Sequence, residues 1–274
     1  MDIYIGFDSA WKDNPKAPGA ICAVGIENGV TVQFHKPRLV SFDEALRFIR
    51  EVRSNNGNTL VAMDQPTVVP NLNGMRPVEH VAGSLVGWLG GAVQPANRGK
   101  LGMFCDASPI WRFLAALGAA EDPERAQAAA DGLYLMEVFP ALALASFGTG
   151  FFGRLCGPKY NPKNKRIFRM GDWVRVAEAA ALEASALACE ALAVWCHDAG
   201  RVAQPKKKHQ DMLDSALCVL IALHWRLSPR EASLLLGDLF TGYMVLPASP
   251  KVRDHLTAPA RKYSVAMDGV VPVS

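Results

Sequence analysis

Polar and apolar residues alternate along Asp2–Phe7, a segment rich in Ile and Tyr, which predicts a strand ending at Asp8. A second apolar run covers Ala20–Ile26. Glu27, Asn28 and Gly29 then form a turn signal, and the strand pattern resumes over Val30–Phe34, as in a β-hairpin. Ser41 followed by Glu44 is a capping box. Behind it Ala45, Leu46, Phe48, Ile49 and Val52 recur at helical spacing until the polar run Ser54–Asn58. Leu60–Met63 is a short, fully apolar strand running into Asp64. The order strand, strand, strand, helix, strand implies a hairpin followed by a crossover to a parallel strand.

The pattern is less regular further on. Residues 65–106 are rich in Gly, Pro and Asn and predict a long excursion at the edge of the domain. Ser108-Pro109 and Asp122-Pro123 each start a helix, and Leu133–Phe139 is a strand stopped by Pro140. A Gly-rich loop covers Gly148–Gly157, and Trp173–His197 reads as one long Ala-rich helix closed by Gly200. Asp211–Trp225 is an amphipathic helix, Ser228-Pro229 with Glu231 predicts another that ends at Gly237, and Tyr243–Leu246 is a last β-type run. No repeat or composition break marks a second domain, so residues 1–274 read as a single α/β domain.

Composition narrows the function classes. A net charge of +3 is too small to mark a bulk nucleic-acid binder, so any attraction for phosphate must come from local patches. The six cysteines include no CxxC pair and no ligand-spaced set with His, which predicts reduced core thiols. No HExxH occurs. The N-terminal MDIYIGFDSAW lacks a basic region and a long apolar core, and the apolar stretch Ala177–Cys196 is interrupted by Glu178, Glu183 and Glu190. A soluble cytoplasmic protein with no membrane partner is expected, and a homodimer is plausible on base rates.

The candidate chemistry lies in the carboxylates. Asp8 and Asp64 each end an apolar strand, and ligands of open α/β sheets bind beyond the carboxyl ends of strands. If those strands are parallel neighbours, the two carboxylates converge; taken singly, each is equally well read as a cap or an Asx turn. Asp211 and Asp214 share one helix face; Asp211 also suits a helix N-terminus, whereas Asp214 borders the buried stripe Leu213, Leu217, Leu220 and Ile221 and needs a partner. Glu137, inside an apolar strand, is a further candidate, with an edge-strand position as the alternative. Mg²⁺ and Mn²⁺ prefer oxygen ligands, and two-ion phosphodiester hydrolysis needs several converging carboxylates.

The ordered pieces GFDSAW (Gly6–Trp11), VAMDQP (Val61–Pro66), GMRPVEH (Gly74–His80), MEVFPALAL (Met136–Leu144), KYNPK (Lys159–Lys163), DMLDSALCVLIAL (Asp211–Leu223) and GYMVLP (Gly242–Pro247) span almost the whole chain. Together they resemble the domain of unknown function 429 family, described as predicted RNase H-like nucleases. The DMLDSAL piece is also similar to the last helix of Holliday-junction resolvases of that superfamily. The resemblance implies an RNase H-like mixed sheet, with antiparallel hairpin strands and parallel strands flanked by helices. It also implies a nuclease that uses Mg²⁺ or Mn²⁺ on a DNA or RNA substrate. By the same carry-over Asp8, Asp64, Asp211 and Asp214 are the expected metal ligands, and Glu137 lies near them as a ligand or an orienting group. Many RNase H-like enzymes carry a ligand glutamate on the first helix; here Glu44 is accounted for by its capping box, and Glu51 qualifies by position only.

Around these, Lys159 and Tyr160, Arg76 and His209 are the expected substrate-binding residues, Arg76 with Glu79 as an alternative ion pair. Lys163, Lys165, Arg166, Arg169 and Lys206–Lys208 could neutralise phosphates, or be ordinary solvated charges. Trp11 reads as a core residue, or as a platform for a base. Two other functions compete: a phosphotransferase or ATPase of the related sugar-kinase and actin-like architecture, which ordinarily needs Gly-rich phosphate turns, and a non-catalytic nucleic-acid-binding protein.

Overall fold

A computed structural model describes residues 1–148 and 150–273. The chain begins with three strands, β1 (Asp2–Asp8), β2 (Gly19–Glu27) and β3 (Val30–Val40), then helix α1 (Phe42–Val52) and β4 (Asn58–Met63). Helices α2 (Pro77–Trp88), α3 (Pro109–Leu117) and α4 (Pro123–Ala128) precede β5 (Gly132–Glu137) and α5 (Pro140–Phe147). Then come α6 (Met170–Ala186), α7 (Glu190–Gly200), α8 (Lys207–Leu227), the hairpin β6 (Ser233–Asp238) and β7 (Gly242–Pro247), and α9 (Pro250–Lys262).

Five strands form one mixed sheet in the order β3-β2-β1-β4-β5. β1–β2 and β2–β3 are antiparallel, while β1–β4 and β4–β5 are parallel. This is the expected hairpin, crossover and parallel arrangement, consistent with an RNase H-like fold. Asn28 and Gly29 at the β2–β3 turn both take positive φ, 52° and 75°, which is why Asn-Gly suits that hairpin. The Ser41 capping box is formed in both directions: the Ser41 amide donates to Glu44 at 2.8 Å, and Ser41 Oγ accepts from the Glu44 amide at 3.3 Å.

Side chains alternate across the sheet and so divide the core. Ile3, Ile5, Phe7, Val61, Met63, Leu133 and Leu135 face one way and pack with α1 and α3. Tyr4, Leu60, Ala62, Tyr134 and Met136 face the other way, toward α8. That helix is buried nearly all round, with Leu213, Ala216, Leu217, Leu220, Ile221 and Leu223 fully enclosed. It lies close on the sheet because Gly6 has no side chain. A Cβ there would stand 2.0 Å from the Ser215 carbonyl oxygen and 2.6 Å from the Val219 nitrogen. The residues level with Gly6 are also small, Cys22 on β2 and Ala62 on β4. A third cluster joins α2, α9 and the β6–β7 hairpin.

Several expected elements differ. The excursion at residues 65–106 contains α2, whose face of Val78, Val81, Ala82, Leu85 and Val86 is buried in the third cluster. The glycines at 83 and 87 weaken the sequence pattern, and tertiary burial overrides them. The single helix expected over Trp173–His197 is a pair, α6 and α7, packed on each other and broken at Ala188, which takes φ of 57°. The helix expected from Ser228 to Gly237 is instead a short 3₁₀ turn, Arg230–Ala232, followed by β6. Its residues pair along their whole length with β7, from Ser233 opposite Pro247 to Asp238 opposite Gly242. The turn is held by Asp238, whose carboxylate accepts from the amides of Phe240 (2.8 Å) and Thr241 (2.7 Å). Helices α5 and α9 add to the expected set, each with Pro at its first turn. No helix among the described residues is long and apolar enough to cross a membrane.

Candidate functional site

Phe7 and Met63 are paired across β1 and β4, so the next residues, Asp8 and Asp64, leave the sheet side by side at its carboxyl edge. The Asp64 amide donates to the Phe7 carbonyl at 2.9 Å and ties the two strand ends together. Asp8 shares the parity of Tyr4 and Gly6, and Asp64 that of Leu60 and Ala62, which directs both toward α8. From above, the first turns of α8 present Lys207, Gln210, Asp211 and Asp214 on one face, at i, i+3 and i+4 spacing. The loop after α5 brings in Tyr160 and Lys163. These residues line a cleft of about 530 Å³, with Trp11 and Met103 also in its wall.

The carboxylates are not in equivalent states. Asp214 is 5% exposed and accepts from Tyr160 Oη at 2.7 Å and Gln210 Nε2 at 3.0 Å. Asp211 accepts from the Lys207 ammonium one turn earlier. Asp8 Oδ2 is buried and takes no hydrogen bond. Burial, and then the charges of Asp214 and Asp64, push the Asp8 carboxyl well above the usual carboxylate range, with Lys207 offsetting part of the effect. Burial and Asp214 do the same to Asp64, again against Lys207. Burial lifts Asp214 to about 6, held there by Lys207, Tyr160 and Gln210. Burial works against the charge of Lys207, but Asp8, Asp214 and Asp211 outweigh it and hold the ammonium above the ordinary lysine range. Four aspartates thus face Lys207 and Lys163 across the cleft, while Glu79 and Glu137 in its wall are taken up by Arg76, and the site is short of positive charge.

A divalent cation would correct that shortfall, and the oxygen donors are of the type that Mg²⁺ and Mn²⁺ accept. The unpaired Asp8 oxygen would face such an ion without a competing donor. The aspartates nevertheless surround the cleft rather than a closed coordination sphere. Among the described residues no three His, Cys, Asp or Glu side chains are drawn together tightly enough to enclose a metal.

Glu137 lines the same cleft and its charge bears on Asp64, but its hydrogen bonds run to other partners. It stands opposite Met63 in the β4–β5 ladder, with the parity of Leu133 and Leu135. There Arg76 grips both carboxylate oxygens, at 2.9 and 2.6 Å, and the Thr67 amide adds a bond at 3.0 Å. Of the two roles expected for Glu137, the contacts are those of an orienting group. They fix the segment that follows Asp64, since Arg76 also donates to the Val68 carbonyl at 2.9 Å.

Arg76 itself is fully buried between Glu137 and Glu79. It is absent from the cleft lining, and the alternative pairing with Glu79 is formed. Burial opposes its charge, but Glu137 and Glu79 outweigh burial and hold the guanidinium above its ordinary range. Lys159 is likewise engaged elsewhere, its ammonium on the Gly90 carbonyl and its amide on Asp172 at 2.8 Å. His209 closes the start of α8, where its Nδ1 accepts from the Lys206 amide at 3.0 Å. It lies outside the cleft lining. Of the expected substrate-binding residues, Tyr160 alone lines the cleft.

Trp11 sits half-buried at the cleft wall, edge-on to Phe104 at 5.2 Å, and its Nε1 donates to the Asp64 carbonyl at 3.3 Å. Sequence reasoning missed Gln210; its i, i+4 relation to Asp214 was the available signal, hidden because α8 starts a turn earlier than expected. It also missed Tyr243, whose hydroxyl accepts from the Glu137 amide and donates to Glu121, each at 3.0 Å.

Residues 6–235 match the family described as protein of unknown function (DUF429), a span that holds Asp8, Asp64, Asp211 and Asp214. No curated protein and no solved structure matches the chain. With most of its length covered in this way, the chain belongs to the DUF429 family.

Proposed function

We propose that this protein is a divalent-metal-dependent nuclease that hydrolyses phosphodiester bonds of nucleic acid. The observation that carries the reading is the pairing of Asp8 and Asp64 at adjacent parallel strand ends beneath Asp214, with one Asp8 oxygen buried and unpaired. A buried anionic oxygen without a donor is costly, and a cation relieves that cost. Mg²⁺ or Mn²⁺ would be held by Asp8, Asp64 and Asp214, with Asp211 joining when Lys207 releases it. When bound, such an ion neutralises phosphoryl oxygens and lowers the pKa of a water molecule.

The other residues supply binding and orientation. Tyr160 and Gln210 hold Asp214 in one rotamer. The Lys207 side chain is 46% exposed, so its ammonium can turn from Asp211 to a phosphate oxygen as the ion enters. Lys163 adds a second cationic group at the cleft. The Trp11 indole offers an aromatic surface beside the carboxylates, suited to a base. The Glu137–Arg76 pair holds the segment after Asp64. The resemblance to predicted RNase H-like nucleases supports the same chemistry.

The test is calorimetric titration of Mn²⁺ into the wild type and Asp64→Asn, with both assayed on mixed labelled RNA and DNA oligonucleotides. Metal binding and strand cleavage that disappear together in the variant are the expected result. No Mn²⁺ binding by the wild type would overturn the metal site. Binding without cleavage of either polymer would move the reading to phosphoryl chemistry on a small molecule, with ATP the next ligand to try.

A further inference from the structure

We propose that the side-chain carbonyl of Gln210 is a ligand of the same cation, a neutral oxygen that completes the set offered by the aspartates. The proposal rests on the metal-dependent reading above and goes beyond it in assigning a residue that is not a carboxylate.

Gln210 lies in the first turns of α8, is 8% exposed and lines the carboxylate cleft. Its amide orientation is fixed by its neighbour. Asp214 Oδ2, as a carboxylate oxygen, can only accept, so the group 3.0 Å from it must be the Gln210 NH₂. Oε1 is thereby turned away from Asp214. It is buried and has no hydrogen-bond partner. Asp8 Oδ2 is in the same state in the same cleft. Two buried acceptors on opposite walls, one from the sheet and one from α8, both lack a hydrogen-bond donor.

Buried polar atoms are ordinarily satisfied, and those that are not ask for a missing group. A hard cation meets both oxygens at once, because carbonyl and carboxylate oxygens are its usual ligands. A neutral ligand also suits the electrostatics. The cleft already holds four aspartates against Lys207 and Lys163, besides Glu79 and Glu137, which Arg76 clasps, and an amide oxygen adds a coordinate bond without adding negative charge. One side chain would then act at both ends, with its NH₂ orienting Asp214 and its carbonyl on the ion.

The test uses the full chain, Mn²⁺ as the probe, and heats of binding and thermal melts as readouts. Gln210→Leu removes the bond to Asp214 along with the carbonyl, so it should lose some metal-free stability while still folding, and should bind Mn²⁺ about tenfold or more weakly. Gln210→Glu keeps an oxygen at the same reach but loses the NH₂ donor to Asp214; it should bind Mn²⁺ at least within a few-fold of the wild type. If Gln210 acts only by bracing Asp214, Glu at this position will be as damaging as Leu, or more so through repulsion from Asp214, and the proposal is overturned. Wild-type affinity in Gln210→Leu overturns it equally, and would mean that a water satisfies Oε1. If Gln210→Leu does not fold, the Glu variant decides: retained binding supports the ligand role and a tenfold loss refutes it. Absence of Mn²⁺ binding by the wild type itself removes the metal reading and this assignment together, whereas binding by the wild type and by Gln210→Leu alike removes only this one.

Discussion

Replacing Gly6 by alanine should force α8 away from β1 and open the candidate site from behind. The new Cβ would stand 2.0 Å from the Ser215 carbonyl oxygen, 2.6 Å from the Val219 nitrogen and 2.9 Å from Cys218 Cβ. Two of these contacts are backbone, so no rotamer change relieves them. Restoring an ordinary C···O separation of about 3.3 Å requires a retreat of about 1.3 Å. In a core packed to crystal density, overfilling of this kind costs about 1–3 kcal/mol, and the backbone contacts put Gly6→Ala at the upper end. The same retreat carries Gln210, Asp211 and Asp214 away from Asp8 and Asp64, and about 1 Å is enough to spoil a positioned constellation. Urea unfolding and Mn²⁺ titration on Gly6→Ala measure the two effects. Cys22→Ala is the control: it trims the neighbouring position in the same register row and should cost only about 1 kcal/mol without moving the helix. Stability within about 0.5 kcal/mol of wild type together with unchanged Mn²⁺ affinity would refute the claim that Gly6 sets the helix depth.

Three other perturbations follow from the contacts described. Arg76→Met strands the buried carboxylates of Glu79 and Glu137 and should destabilise by about 3–5 kcal/mol in urea melts; adding Glu137→Gln should recover part of the loss, and strict additivity would count against a direct pair. Asp268 is held below the usual carboxylate range: burial opposes this, but the Leu235 amide, Arg253 and Arg230 outweigh it. With its folded-state pKa below the unfolded value of about 3.9, its contribution is full above that pH and lost as pH falls through the folded value. The stability gap between wild type and Asp268→Asn, about 1 kcal/mol at neutral pH for a partly exposed pair, should therefore shrink progressively below about pH 4. Ala188→Gly should stabilise by about 0.5–1 kcal/mol, read as a raised thermal midpoint, because Ala188 takes φ of 57° where a Cβ is strained.

The main sheet was legible because its signals are local and agree with one another. The Asn-Gly turn, the Ser41–Glu44 box and the apolar run into Asp64 each specify an element, and the crossover rule orders them. The convergence of Asp8 and Asp64 followed from that topology. What lay beyond reach depends on partners distant in sequence. Leu234–Leu236 is a three-leucine run that fits helix or strand equally, and pairing with β7 decides it. The break at Ala188 has no Gly or Pro to announce it. The site residues divide in the same way. Asp214 could be singled out because a carboxylate beside a leucine stripe is anomalous on its own helix. Glu137 looked equally anomalous on its strand, and it does line the cleft, but Arg76, which clasps its carboxylate there, is far away in sequence. Gln210 gave no composition signal, since an amide near a helix start is ordinary until the direction of its carbonyl is known.

The placement of α8 on Gly6, Cys22 and Ala62 also has a consequence for synthesis. Asp8 and Asp64 emerge early from the ribosome, whereas the helix that covers them comes after α7. A nascent chain that has reached only α7 can form the sheet, but its α8 face, with Tyr4, Leu60, Ala62 and Met136, is bare. It is then prone to aggregate, and the two strand-end carboxylates lack the wall that turns them into a cleft. Whatever the cleft binds, it cannot be captured by a truncated chain, and ligand can favour only the species in which α8 has docked. Completion of the core and the onset of binding are thus one event.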